Sequence, residues 1–111
     1  VMVPRKGAEV AKITVKDLKD ALEVRMTIDS LSVKLACERI DEEEKVEIRQ
    51  ACVAFREAVK SKDVKAIVEG DERFHNTIYR ASKNQKLITI AMNLREQVYR
   101  YRFECKRFFV S

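Results

Sequence analysis

The chain has few of the residues that interrupt regular structure. Its 111 residues include two glycines, one proline, no tryptophan and a single histidine. So little turn chemistry leaves almost no place for hairpins and, with abundant Glu, Lys, Arg, Leu and Ala, points to long helices. The three cysteines, Cys37, Cys52 and Cys105, are odd in number, widely spaced and without a Cys-x-x-Cys pair, which argues against a disulfide framework or a structural zinc site. No stretch approaches the roughly 20 apolar residues that cross a bilayer, and the first residues lack the apolar core of a signal peptide. The expectation is a cytoplasmic chain with reduced thiols and no membrane partner. One histidine, no nucleophile and base in register, and no glycine-rich phosphate loop leave little to catalyse with, so an enzyme is not expected.

Hydrophobic residues make up 46% and charged residues 37% of the chain, and the formal net charge is +5. That is enough apolar surface for one small domain, and the interspersed charge does not demand nucleic acid. Residues 1–13 hold the only proline and one glycine, show no helical period and read as a linker. Residues 14–111 read as an all-α antiparallel bundle of about four helices. Thr14 and Asp17 form a capping-box pattern that opens a helix running to about Arg39, with the expected buried stripe Ala21, Val24, Ile28, Leu31 and Leu35. Asp41 caps a second helix, whose first turn is crowded with Glu42, Glu43 and Glu44 and whose inward side chains are expected to be Ile48, Cys52, Phe55 and Val59. Ser61 to Asp63 breaks the pattern before a third helix that ends near Ser82. Asn84 starts the last helix, in which Leu87, Ala91, Leu94, Val98, Tyr101, Cys105 and Phe108 form a heptad-like seam. That seam reaches the chain end through Phe108, Phe109 and Val110, which implies either missing sequence, with the effector domain incomplete, or a partner chain, and predicts self-association.

The third helix carries the best clue to function. Its stripe runs Val64, Ile67, Asp71, Phe74, Ile78 and Ala81, so an aspartate occupies a slot meant for an apolar side chain, and His75 lies one turn further on the same face. A carboxylate turned into a helical core loses hydration unless a cation, a donor or water meets it. Carboxylate and imidazole at i and i+4 suit a shared divalent cation with oxygen and nitrogen at about 2.0 to 2.2 Å, although two protein ligands make a weak site. The alternatives are that the two groups bond each other, or that Asp71 pairs with an inward arginine. Gly70, directly before the aspartate, weakens the helix by about 1 kcal/mol relative to alanine, which a close helix contact or a nearby ligand would explain. Arg25, beside the stripe of the first helix, is either a clamp for a ligand carboxylate or a snorkelling surface arginine. Arg95, Arg100, Arg102, Lys106 and Arg107, interleaved with Tyr99, Tyr101 and Phe103, resemble a phosphate-binding face, but read more simply as a solvated basic face beside core aromatics.

Several short motifs in order carry a resemblance. Val1-Met2-Val3-Pro4 looks like the last strand and exit linker of a winged helix. Leu18 to Arg25 looks like a first effector helix, with Ile28-Asp29 standing where an apolar residue and Glu are common. Asp71, Phe74 and His75 match Asp-x-x-Phe-His, and Ala81 to Leu87 matches Ala-Ser-x-Asn-x-x-Leu. Together they resemble the FCD effector-binding domain of the FadR-type branch of GntR transcription regulators. The resemblance implies a helical bundle that binds a small organic acid, often through a divalent metal such as zinc, nickel or manganese held by one aspartate and three histidines. It also implies a homodimer that couples occupancy to DNA, which is contacted only through the winged-helix domain. Asp71 and His75 are the metal ligands it transfers; the chain has no further histidine, so weak or no metal occupancy is expected. The competing reading is a helical interaction module with no ligand.

Overall fold

The structure, a computed structural model, describes residues 13–110, with side chains up to Glu104. The expected linker therefore lies almost wholly outside the described residues, as do the side chains of Cys105 and Phe108 to Val110. Four helices account for nearly all of the described chain: α1 (Val15–Arg39), α2 (Glu42–Ser61), α3 (Val64–Ala81) and α4 (Gln85–Val110). Among the described residues there is no strand, and the all-α expectation holds.

Local chemistry sets each helix start. Thr14 Oγ1 accepts from Asp17 N at 3.1 Å and Asp17 Oδ2 accepts from Thr14 N at 2.9 Å, a reciprocal capping box that holds the Asp17 carboxyl below its ordinary range, chiefly through the backbone bond. Asp41 and Glu44 repeat the arrangement at α2, with 2.8 and 3.2 Å bonds. Asp63 caps α3 and Asn84 caps α4, the latter accepting from Leu87 N at 3.0 Å. The α3–α4 joint does more than turn. Lys83 adopts the left-handed conformation at φ 57°, and buried Ser82 accepts a 2.8 Å bond from Arg39 Nη1 at its carbonyl. Lys83 Nζ pairs with Glu44 and donates to Arg39 O, so this one turn ties the end of α1 to the start of α2.

α3 packs between α1 and α2, and α4 lies mainly on α1; α1 and α2 do not pack on each other. The core centres on Tyr79, Leu87 and Ala91, with Ile28, Leu35, Ile88 and Met92 against them. The expected stripe of α1 is inside at Ala21, Ile28 and Leu35 but not at Val24 and Leu31. Val24 and Leu31 are 51% and 41% exposed, whereas Ala21, Ser32 and Ala36 are buried. The helix is turned so that its small residues lie at the crossings, which lets backbones approach and brings Arg25 and Asp29 inward. Val59 and Val64, expected inside, are exposed because they sit at the outer ends of α2 and α3. The α4 seam matches the expectation at Leu87, Ala91 and Val98, but Tyr99 and Phe103 are 63% and 56% exposed, so these two aromatics are not core residues. The described helices include none long and apolar enough to cross a membrane.

Gly70 marks a close approach. A Cβ built there would lie 3.3 Å from both Cα and Cδ1 of Phe55 on α2, and one of those atoms is backbone. Gly70→Ala gains helix propensity but crowds α2, and the two effects are expected to cancel to within about 1 kcal/mol. Gly70→Val is expected to destabilise by roughly 2 to 3 kcal/mol, since the added methyls have no room. Urea denaturation midpoints check this, and an unchanged midpoint for Gly70→Val would show that α2 can retreat freely.

Candidate functional site

Asp71 lies at the margin of the bundle, half-exposed, and an arginine meets it from the inner side. Arg95 of α4 reaches across to α3 and places Nη2 2.7 Å from Asp71 Oδ2. The Arg95 side chain is only 12% exposed, against 42% for Asp71, so the guanidinium is the more deeply held partner. Its Nη1 is buried with no hydrogen-bond partner among the described residues. The spacing explains why Arg95 faces in: it lies four residues after buried Ala91 and three before buried Val98, on the edge of the α4 seam.

The other oxygen of Asp71 faces His75. Nδ1 of the imidazole lies 3.3 Å from Asp71 Oδ1 and 2.9 Å from Asp71 O. A carbonyl only accepts, so in the shorter contact Nδ1 is the donor, and Nε2 stands at the far side of the ring. The Phe74 ring meets the imidazole edge-on at 5.6 Å and Tyr79 lies 6.4 Å away, which fixes its plane.

One turn further along α3, Tyr79 is fully buried and donates its hydroxyl to Asp29 Oδ1 of α1 at 2.5 Å. Asp29 Oδ2 lies 3.9 Å from Arg25 Nε, four residues back on the same helix. Asp71, His75 and Tyr79 thus form one line on α3, Arg25 and Asp29 a second on α1, and Arg95 a third on α4. The layer holds two aspartates and two arginines and is close to neutral as a whole. Burial first, and then the bond to Asp29, push the Tyr79 hydroxyl from its ordinary 10.0 up to about 12, against the opposing pull of Arg95.

A pocket of about 250 Å³ opens beside this layer, between Arg25, Asp71, Glu72, Arg95 and Arg102 on its polar side and Phe55, Ile67, Val68 and Val98 on its apolar side, so that three guanidinium groups face two carboxylates. Of the residues expected to form a site, Arg25, Asp71 and His75 lie in one layer, and two of them, Arg25 and Asp71, line the pocket. Asp29, Tyr79 and Arg95 were not singled out by sequence pattern as site residues, and Arg95 was assigned to a solvated face that it does not occupy. Their signal was there in part: Tyr79 continues the Asp71, His75 line at i+4, and Asp29 stands at i+4 from Arg25. Arg95 became recognisable only once α4 was seen to cross α3 beside Asp71.

The residues do not fit a divalent metal as they are arranged. The described residues hold no group of three or more His, Cys, Asp or Glu side chains placed for a metal, Asp71 Oδ2 is taken by a guanidinium, and the imidazole turns Nδ1, engaged with the Asp71 carbonyl, toward the carboxylate.

The model of the FCD domain matches residues 20–108 of the chain. The chain belongs to the FCD family. FCD domains are the effector-binding domains of GntR-family regulators, a regulatory family and not a class of enzymes. Residues 20–108 take in every member of the polar layer and all four helices in whole or large part. Comparison with curated proteins and with solved structures returns no match. The Ala81 to Leu87 motif of this FCD domain is explained by the joint it builds, with Ser82 buried and Asn84 capping α4.

The raised Tyr79 hydroxyl has a consequence at high pH. Its folded value exceeds its unfolded one, so its stabilising contribution is complete below about pH 10 and is lost as pH rises toward about 12. The loss is on the order of 2 to 3 kcal/mol for a shift of this size. An ultraviolet titration is expected to show one of the three tyrosines ionising near pH 12, and Tyr79→Phe is expected to remove that late step. A titration unchanged in Tyr79→Phe would contradict the assignment.

Proposed function

We propose that this FCD domain is the ligand-sensing, dimerising half of a FadR-type GntR regulator, and that its pocket takes a small carboxylate. The observation that carries this reading is the convergence of Arg25 from α1 and Arg95 and Arg102 from α4 on one pocket of about 250 Å³ with apolar walls. A guanidinium offers paired donors that match a carboxylate, and the volume suits an acid of a few carbons. Such a ligand bridges α1 and α4, and so favours one spacing of those helices over another. In a regulator of this type α1 follows the linker from the winged-helix domain, so its position is the natural output to DNA. The cytoplasm is the compartment that suits this role.

Divalent metal at Asp71 and His75 is the weaker part of the family expectation for this chain, given the arginine that holds Asp71. Self-association is proposed through the outer face of α1 and α4, where Val24 and Ile90 are 51% and 47% exposed beside Leu94. That same face is what favours the second reading, a helical interaction module.

Titration calorimetry with short hydroxy acids and sugar acids, each beside its amide, tests the pocket. At least one acid is expected to bind while its amide does not, and Arg25→Gln is expected to weaken it at least about tenfold. If no acid binds at millimolar concentration while the chain self-associates, the interaction module is the correct reading. Sedimentation at micromolar concentration is expected to show a species larger than the monomer, and a clean monomer would overturn the dimer.

A further inference from the structure

Asp71 has a cation already. Arg95 Nη2 lies 2.7 Å from Oδ2, and the His75 ring stands 3.3 Å from Oδ1 while its Nδ1 is engaged with the Asp71 carbonyl. A guanidinium keeps its charge at every accessible pH, so it is a permanent positive charge at the place a metal on Asp71 would need. Two cations on one carboxylate repel each other, and the arginine cannot neutralise itself by losing a proton as a lysine can.

Moving Arg95 aside is also costly. Its side chain is 12% exposed, and among the described residues Nη1 is buried with no hydrogen-bond partner and Asp71 is the one carboxylate paired with it, beside the Tyr79 hydroxyl. Metal entry would have to strand a largely covered guanidinium, and breaking such a pair costs far more than its formation contributes. The imidazole offers little in return, because its Nδ1 is engaged with the Asp71 carbonyl at 2.9 Å and Nε2 stands at the far side of the ring.

We propose that Arg95 is the resident cation of the Asp71 carboxylate and excludes divalent metal from the Asp71 and His75 pair. The inference rests on the reading of this pocket as the effector site and deepens it: the acid meets fixed guanidinium charge in place of a metal. Arg95 is thus the residue that decides whether Asp71 is open to a metal.

The test uses metal alone. Manganese is titrated into the 111-residue chain and free Mn²⁺ is read by electron paramagnetic resonance. The wild-type chain is expected to bind no tighter than millimolar, Arg95→Gln at least about tenfold tighter, and Arg95→Lys, which keeps the charge, as weakly as wild type. Adding Asp71→Asn to Arg95→Gln is expected to abolish the gain. Equal affinity in wild type and Arg95→Gln, an equal gain in Arg95→Lys, or a gain that survives Asp71→Asn overturns the proposal.

A measurement on the wild-type chain needs no variant to fold. Its Arg95 Nε–Hε nuclear resonance is expected to stay in place as zinc is added to millimolar concentration. A shift saturating at micromolar zinc overturns the proposal. Acid binding and metal exclusion are separate readouts. A chain that binds no acid yet shows this order of metal affinities keeps the inference and loses the effector reading, and the reverse result loses the inference alone.

Discussion

A carboxylate turned toward a helical bundle needs a positive partner, and here the partner of half-exposed Asp71 comes from the next helix, 24 residues on. The 2.7 Å pair between Asp71 and Arg95 joins α3 to α4 at the margin of the bundle, and much of the surrounding arrangement follows from accommodating it. α4 must cross α3 at the level of Arg95, which sets its register, and Ala91 and Val98 on either side close the contact. α1 must then turn its polar line inward, so that Asp29 meets Tyr79 and Arg25 meets Asp29. Its apolar Val24 and Leu31 are carried outward by the same rotation. The result is a layer whose two aspartates and two arginines compensate one another while an apolar cluster of Tyr79, Leu87 and Ala91 packs beside it. Tyr79 belongs to both, with its ring in the core and its hydroxyl in the layer.

Such a layer adds little net stability, because the charges lose hydration on entering it. What it supplies is specificity of arrangement and a site. A purely apolar seam would tolerate sliding of α4 by a turn, whereas the ion pair and the hydrogen bond of Tyr79 are satisfied in one register only. The turn from Ser82 to Asn84 works to the same end. It stops α3, starts α4 and, through Arg39 and Lys83, holds the corner where α1 passes into α2. A pocket bounded by helices placed so firmly keeps its arginines at fixed positions, which is the condition for recognising a small acid by geometry as well as by charge.

The helices and their ends were legible residue by residue. Thr14 with Asp17, Asp41 with Glu44, Asp63 and Asn84 all cap as their side-chain chemistry requires, because a cap is a contact between residues close in sequence. The anomalous aspartate was legible as well, since the period of α3 left Asp71 in an apolar slot, and the close approach at Gly70 is explained by Phe55. On α1 the expected Ala21, Ile28 and Leu35 lie inside, and Val24 and Leu31 lie outside for a physical reason. Valine and leucine recur there at helical spacing, but the burial of a helix face depends on what stands opposite. Opposite α1 stand α3 and α4, and against them Ala21, Ser32 and Ala36 are the buried residues. The basic run in α4 misled in the same way, since a charged residue one step off a seam is solvated or buried according to its neighbour on another helix.

Short-range chemistry, written in caps, turns and the period of apolar residues, was therefore enough to define four helices, their limits, the family motif and the presence of one anomalous acid. Which cation answers that acid depends on residues 24 positions apart, Asp71 and Arg95, and the pairing of Asp29 with Tyr79 on residues 50 apart. Neither pairing leaves a periodic trace along the chain. They exist because three helices cross at one level, and the crossing is set by the packing of small side chains that carry no charge at all.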